Sequence, residues 1–233
     1  MRHSTTIIWP LWGRVFALLV TALLSLSSCS ETDDTVEEFP DWKAKNEAFF
    51  TSKYSMVSQY VAAGYTDWKI IRGYNLGDAT GNVSPTDNIL VHVLRQGTGS
   101  GCPLYSDTVR VHYRGQLIAS TTYVDSSDSE LGLVFDKSWS TDVFNEQISI
   151  PSKMGVGGLV PGFSTALQYM HIGDRWRIYV PYQLAYGTSN NGSIPAYSTL
   201  VFDIALAAYY HPGKTVPDWS ANEAALWDEA PEE

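Results

Sequence analysis

The residues of this chain that could do chemistry are mostly rings. Its 233 residues include 8 Trp, 14 Tyr and 8 Phe. Between Val109 and Tyr209 rings recur beside short apolar pairs and single carboxylates. Tyr113 lies in Val111-His112-Tyr113-Arg114-Gly115, and Phe135-Asp136 follows Val134. Phe163 follows Leu159-Val160-Pro161-Gly162, Tyr186 lies in Leu184-Ala185-Tyr186-Gly187, and Phe202-Asp203 follows Thr199-Leu200-Val201. The polar groups that usually make and break bonds are not arranged for it. The five His are dispersed, and none pairs with Cys, Asp or Glu at metal-ligand spacing. No Ser sits in a Gly-x-Ser-x-Gly frame, and the thiol of Cys102 has no activating neighbour. Gly155-Val156-Gly157-Gly158 lacks the βαβ setting and the Gly-Lys-Ser/Thr of a phosphate loop, and reads as a flexible connection.

In residue type and order these blocks, completed by Ala166-Leu167, Met170, Gly173, Val180-Pro181 and Ile194-Pro195, resemble the FKBP family of peptidyl-prolyl cis/trans isomerases. The resemblance covers roughly half the chain, with seven blocks in the family's order. It implies rotation about the peptide bond preceding proline, which must cross about 18–20 kcal/mol and is slow without catalysis. The twisted amide has lost resonance and is less polar than the planar one, so a dry apolar hollow favours it relative to water. No nucleophile, metal, cofactor or proton shuttle is needed. Residue by residue, the resemblance assigns Tyr113, Phe135, Asp136, Val160, Tyr186 and Phe202 to catalysis. It assigns Phe144, Leu159, Phe163 and Ile194 to substrate binding. The N–H of Val160 would hold the carbonyl near the prolyl ring, and the Tyr186 hydroxyl a neighbouring carbonyl. Asp136 would polarise the wall rather than act as a base. The family's floor residue is usually Trp; Phe163 in its place implies a weaker grip and lower activity. The implied partners are proline-containing polypeptides and macrolide inhibitors. The alternative is a feebly active or inactive peptide-binding module or chaperone.

The elements that must position these residues are mostly strands. β-type runs span Trp68–Tyr74, Asn88–Leu94, Thr108–Ile118, Glu146–Ile150, Arg175–Pro181 and Thr199–Tyr210, with turn-rich segments between them. One helical stretch, Phe163 to Met170, interrupts. Many strands with one helix give an α+β class, and the resemblance makes it an antiparallel, strongly bent sheet wrapped on one short helix across residues 67–211. Between Leu117 and Phe135 the chain is longer than compact family members. That insert (118–134) is rich in Ser, Thr and Asp, and lies beside the pocket wall as a contact surface or a loop. Upstream, Trp42, Phe49, Phe50, Met56, Val57, Tyr60 and Val61 recur at near-heptad spacing, Asp41 is placed to cap, and Gly64 to terminate. This predicts an added amphipathic helix within residues 41–66. Packed on its own domain, it leaves a monomer; the alternative is a dimerisation helix.

Composition bounds the rest. With 15 Lys and Arg against 25 Asp and Glu, the net charge is -10, and no basic stripe exists to bind nucleic acid. At the amino terminus Arg2 and Arg14 precede an uncharged apolar run, Val15 to Leu26. It is too short to span a bilayer comfortably and suits the core of a signal peptide. Leu26-Ser27-Ser28-Cys29 resembles the lipobox of bacterial lipoproteins. That implies a leader at 1–28, lipid on Cys29, an acidic tether at 29–40 and a lipid-anchored place in the bacterial cell envelope, at the outer membrane. The alternative is a plain secretory signal leaving a free thiol. With Cys29 lipidated, Cys102 has no partner; a Cys29–Cys102 disulfide is the other reading. Residues 212–233 read as an acidic, peripheral tail.

Overall fold

Three strand runs in this chain are apolar at consecutive positions rather than alternate ones, and the fold explains why. Ile89, Leu90 and Val91 are all fully buried, as are Ile178 and Val180 with Tyr179 between them. Successive side chains on a strand face opposite ways, so such strands need cover on both faces. The computed structural model, which describes residues 36–219 apart from 78–80, 82, 142–143 and 147, supplies two covers. The expected leader, Cys29 and the acidic stretch to residue 35, with the tail beyond 219, lie outside the described residues.

The elements are α1 (Trp42–Ala62), β1 (Trp68–Arg72), β2 (Asn88–Arg95), β3 (Thr108–Ile118), β4 (Leu131–Lys137), β5 (Ser152–Gly155), α2 (Pro161–Leu167), β6 (Arg175–Val180) and β7 (Leu200–Tyr210). The strands form one seven-stranded sheet ordered β1-β2-β6-β7-β3-β4, with β5 also pairing β3. Each pair is antiparallel. The class is the expected α+β. One expected strand is corrected: within the run expected at Glu146–Ile150 the described residues form turn and bend rather than strand, Ile148 and Ile150 stand 69% and 67% exposed, and β5 begins at Ser152. Alternation alone does not make a strand where no neighbouring edge is in reach.

On one face α2 packs against the main core of Ile89, Val91, Ile178, Phe202 and Ile204. Pro161 opens it at a position where a missing N–H costs nothing. Gly162 lets it lie on β6: a Cβ there would sit 2.3 Å from Val180 Cγ1. The helix begins earlier than Phe163 and ends at Leu167, after which a turn delivers Met170, fully buried, to the core.

The other face is covered by α1. Phe50 and Val57 pack with Leu90, Leu131, Tyr179 and Val201. At about 1.5–3 kcal/mol for each buried side chain, this docking outweighs anything the helix could gain alone. The buried stripe differs from the amphipathic one expected: it is Trp42, Asn46, Phe50 and Val57, while Val61 is 42% exposed. Asp41 takes the cap position at φ 51°, but its side chain makes no capping bond.

The insert also turns to the α1 side. Gln116 Nε2 donates to Asp125 Oδ2 at 2.8 Å, Arg177 Nη1 to Asp128 at 3.0 Å, and Lys53 Nζ pairs with Glu130. Hydrogen bonds from Ser127 hold the Asp125 carboxyl down at about 2, with Gln116 and Arg114 adding to the effect. Glu38 accepts from the hydroxyls of Ser120 and Thr122, and its carbonyl from Thr121 N. Arg177 also forks onto Asp203, Nε to Oδ1 at 2.7 Å and Nη2 to Oδ2 at 3.0 Å. The insert is thus stitched down by charge-assisted bonds.

Candidate functional site

Gly115, in the middle of β3, organises the concave face. Its Cα partners are Asp136 on β4 and Phe202 on β7. The space a side chain would take is filled by rings: a Cβ would lie 2.5 Å from Phe135 Cε2 and 2.8 Å from Phe202 Cε1. Two residues earlier on the same strand, Tyr113 reaches toward α2. Four rings from four elements therefore meet edge to face. Phe135 and Phe202 are 5.6 Å apart at 90°, Phe202 and Phe163 are 5.0 Å apart at 83°, and Phe163 and Tyr113 are 6.0 Å apart at 88°. This geometry suits ring quadrupoles; Phe163 and Phe202 are buried, while Tyr113 and Phe135 are only half-buried.

Polar groups rim this wall. The Tyr113 hydroxyl donates to Asp136 Oδ2 at 2.6 Å. Burial first, then that bond, pushes the Tyr113 phenol well above its ordinary range, and nearby Tyr186 adds to the effect. Tyr113 therefore remains a protonated donor committed to Asp136, which it fixes in place. Tyr186, 39% exposed, stands in the loop between β6 and β7. Leu159 and Val160 lead into α2 and pack partly buried against the core. The Val160 carbonyl accepts from Phe163 N at 3.0 Å and Ser164 N at 3.1 Å, while no hydrogen bond among the described residues uses its N–H. Ile194 is 5% exposed in the same core cluster as Phe163 and Phe202, with its backbone paired to Asn191.

Phe144 is the exception. The structure sets it 5.0 Å from His112 and 4.5 Å from Trp139, with Arg175 over its ring. His112 faces away from Tyr113 because neighbours on a strand point oppositely. Phe144 accordingly lies behind the sheet and not in the ring wall. A hollow of about 340 Å³ lies there too, lined by residues including Arg95, His112, Glu146 and Trp219; it holds none of the ring-wall residues. The thiol of Cys102 sits 3.8 Å from His171 Nε2, and burial raises its pKa, away from a reactive thiolate. Among the described residues no group of three or more His, Cys, Asp or Glu could hold a metal. Nothing local in the sequence marked Trp42 and Asn46 as neighbours of the Tyr186 loop, yet both bond to its end.

An open antiparallel sheet laid over a short helix, with rings walling the space between them, defines the FKBP class of domain. Residues 102–207 match the family model of FKBP-type peptidyl-prolyl cis-trans isomerases. The chain is 36% identical over 124 residues to the FKBP-type 22 kDa peptidyl-prolyl cis-trans isomerase of Escherichia coli (strain K12), covering 53% of this chain and 50% of the relative. It is 36% identical over 115 residues to the outer membrane protein MIP of Legionella longbeachae, covering 49% of this chain and 41% of that one. The crystal structure of FkpA from Escherichia coli is similar at TM-score 0.49 and 23% identity, covering 85% of this chain and 70% of that one. The chain thus spans about half the length of the curated relatives it matches.

Proposed function

We propose that this protein is a peptidyl-prolyl cis/trans isomerase acting on proline-containing polypeptides during folding in the bacterial cell envelope. The observation that carries the reading is the edge-to-face wall of Tyr113, Phe163, Phe202 and Phe135, with the unused Val160 N–H at its edge. A prolyl ring inserted there leaves water, and the amide before it does so too. The planar amide, the more polar form, loses more solvation than the twisted one, so the barrier falls. The Val160 N–H holds the carbonyl beside the prolyl ring, and the Tyr186 hydroxyl a flanking carbonyl. Asp136, fixed by Tyr113, polarises the wall. No proton is transferred. Leu159 and Ile194 complete the apolar surround, and a macrolide inhibitor would bind against the same ring wall.

The test is isomerisation of a prolyl tetrapeptide by the purified chain, with and without a macrolide. Turnover that falls about tenfold or more in Asp136→Ala and Tyr186→Phe supports the enzyme, at the scale expected for loss of positioned groups. Intact peptide binding with no turnover refutes it. For the location, Arg2, Arg14, the apolar run to Leu26 and Ser27-Ser28-Cys29 support a lipid anchor on Cys29. Similarity to a relative named for the outer membrane supports the envelope. Labelled palmitate should enter the wild-type chain and not Cys29→Ser; equal labelling of both defeats the anchor.

A further inference from the structure

The loop that carries Tyr186 runs from Pro181 to Thr199 between β6 and β7 and is cross-tied within itself. Tyr182 O accepts from Ala185 N and Gly187 N, Tyr197 N donates to Gly187 O at 2.9 Å, and Asn191 pairs with Ile194. Inside it Tyr197 holds φ 64°, a left-handed conformation that a bulky residue seldom adopts. Such a conformation persists only where its surroundings over-determine it. Here those surroundings come from α1. Lys43 Nζ lies 5.0 Å from the centroid of the Tyr197 ring, which packs 5.3 Å from Tyr182. The Tyr182 hydroxyl in turn donates to Glu47 Oε1 at 3.3 Å. Trp42 Nε1 donates to Ser198 Oγ at 2.8 Å. Asn46, fully buried, accepts from Thr199 N at 2.7 Å and donates to Trp42 O at 2.7 Å.

Positions 42, 43, 46 and 47 share one face of a helix, so the first turns of α1 grip both ends of the loop. We infer that α1 is a positioning element for the site, with Asn46 and Trp42 the positioning residues that set the loop presenting Tyr186 toward Tyr113. This rests on the isomerase reading for its kinetic consequence, while the grip itself is independent of it. A buried asparagine whose amide oxygen accepts across a sequence separation of 153 residues, while its amide nitrogen donates back to Trp42 O in the same helix, is a costly device for mere docking. Phe50 and Val57 already fasten the helix.

The test uses the full chain, with Asn46→Leu and a surface pair, Lys43→Ala with Glu47→Ala. Each is assayed at a temperature where its denaturation curve shows it folded. The expected result is a kcat/KM for a prolyl tetrapeptide lowered about tenfold in Asn46→Leu and about threefold in the surface pair, the scale of a slightly misplaced group. In a Tyr186→Phe background, Asn46→Leu should cost less than about twofold further, because residues acting through one another are not additive. A folded Asn46→Leu with unchanged kcat/KM, or full additivity with Tyr186→Phe, overturns the inference. If Asn46→Leu does not fold, the surface pair decides in the same way. If the wild-type chain has no isomerase activity, the function fails separately. The grip is then read by amide hydrogen exchange across residues 182–199, expected about tenfold faster in the variant; unchanged exchange overturns it.

Discussion

Adding one methyl group at Gly115 tests the ring wall directly. The backbone there is not in the left-handed region, so Gly115→Ala introduces no dihedral strain and acts by volume alone. The new Cβ would stand 2.5 Å from Phe135 Cε2 and Cζ and 2.8 Å from Phe202 Cε1. Carbon atoms in contact prefer about 3.5–4.0 Å, so about 1 Å must be found. Phe202 cannot supply it: it is 6% exposed and boxed between Phe163 and Phe135. Phe135, half-buried on β4, must swing outward and open the wall. Overpacking of this kind costs about 1–3 kcal/mol, which for a chain of this size lowers Tm by roughly 3–10 °C. A wall ring displaced by about 1 Å should also lower kcat/KM about tenfold or more. Urea denaturation and the tetrapeptide assay measure the two effects. Gly155→Ala, where nothing lies within 4 Å, is the control and should be near neutral. If Gly115→Ala stays within about 0.5 kcal/mol of wild type and keeps full turnover, the rings do not pack as described and the site is wrongly built.

Three further outcomes are expected. Tyr113→Phe removes the bond to Asp136; because Asp136 is exposed, stability should fall by no more than about 1 kcal/mol while turnover drops, and a variant with unaltered turnover would remove Asp136 from the mechanism. Arg177→Met strips the fork from Asp203, which is 8% exposed, and should destabilise by about 3 kcal/mol, read by urea denaturation; a neutral result would show that Arg114, at 3.6 Å, suffices alone. His112, buried at 3% exposure, has its pKa lowered to about 4 by burial, against a weaker opposing pull from Glu146. The unfolded chain therefore binds the extra proton first as pH falls. Stability from this residue is full above about 6.5 and is lost toward pH 4, by at most about 3 kcal/mol. His112→Leu should flatten the stability profile across that window, and an unchanged slope would place the acid sensitivity elsewhere.

Much of the fold was legible because the core strands carry their burial in their composition. Asn88–Arg95, Arg175–Val180 and Leu200–Tyr210 are apolar at successive positions, a pattern that requires cover on both faces, and α1 and α2 provide it. The ring-wall residues were legible because each sits in a short block whose order resembles a known family. What was not legible depends on tertiary contacts. Ile148 and Ile150 alternate like a strand but have no edge to pair with, while Ser152–Gly155, without such a pattern, does. Phe144 looks like any other ring, and only the facing of His112 puts it behind the sheet. Asn46 reads as an ordinary surface residue of a helix, since its partner Thr199 lies far along the chain. The acidic insert reads as loose, but Arg177, Gln116 and Lys53 bind it down.

The four hydrogen bonds that Glu38 accepts from Ser120, Thr121 and Thr122 have a mechanical side. They lie just before Trp42 and Asn46, the first residues to be peeled away if the chain were pulled from upstream. Tension would instead be taken up at the turn between β3 and β4, in the manner of a cord grip, so a pull on the backbone at Glu38 would not slacken the loop of Tyr186.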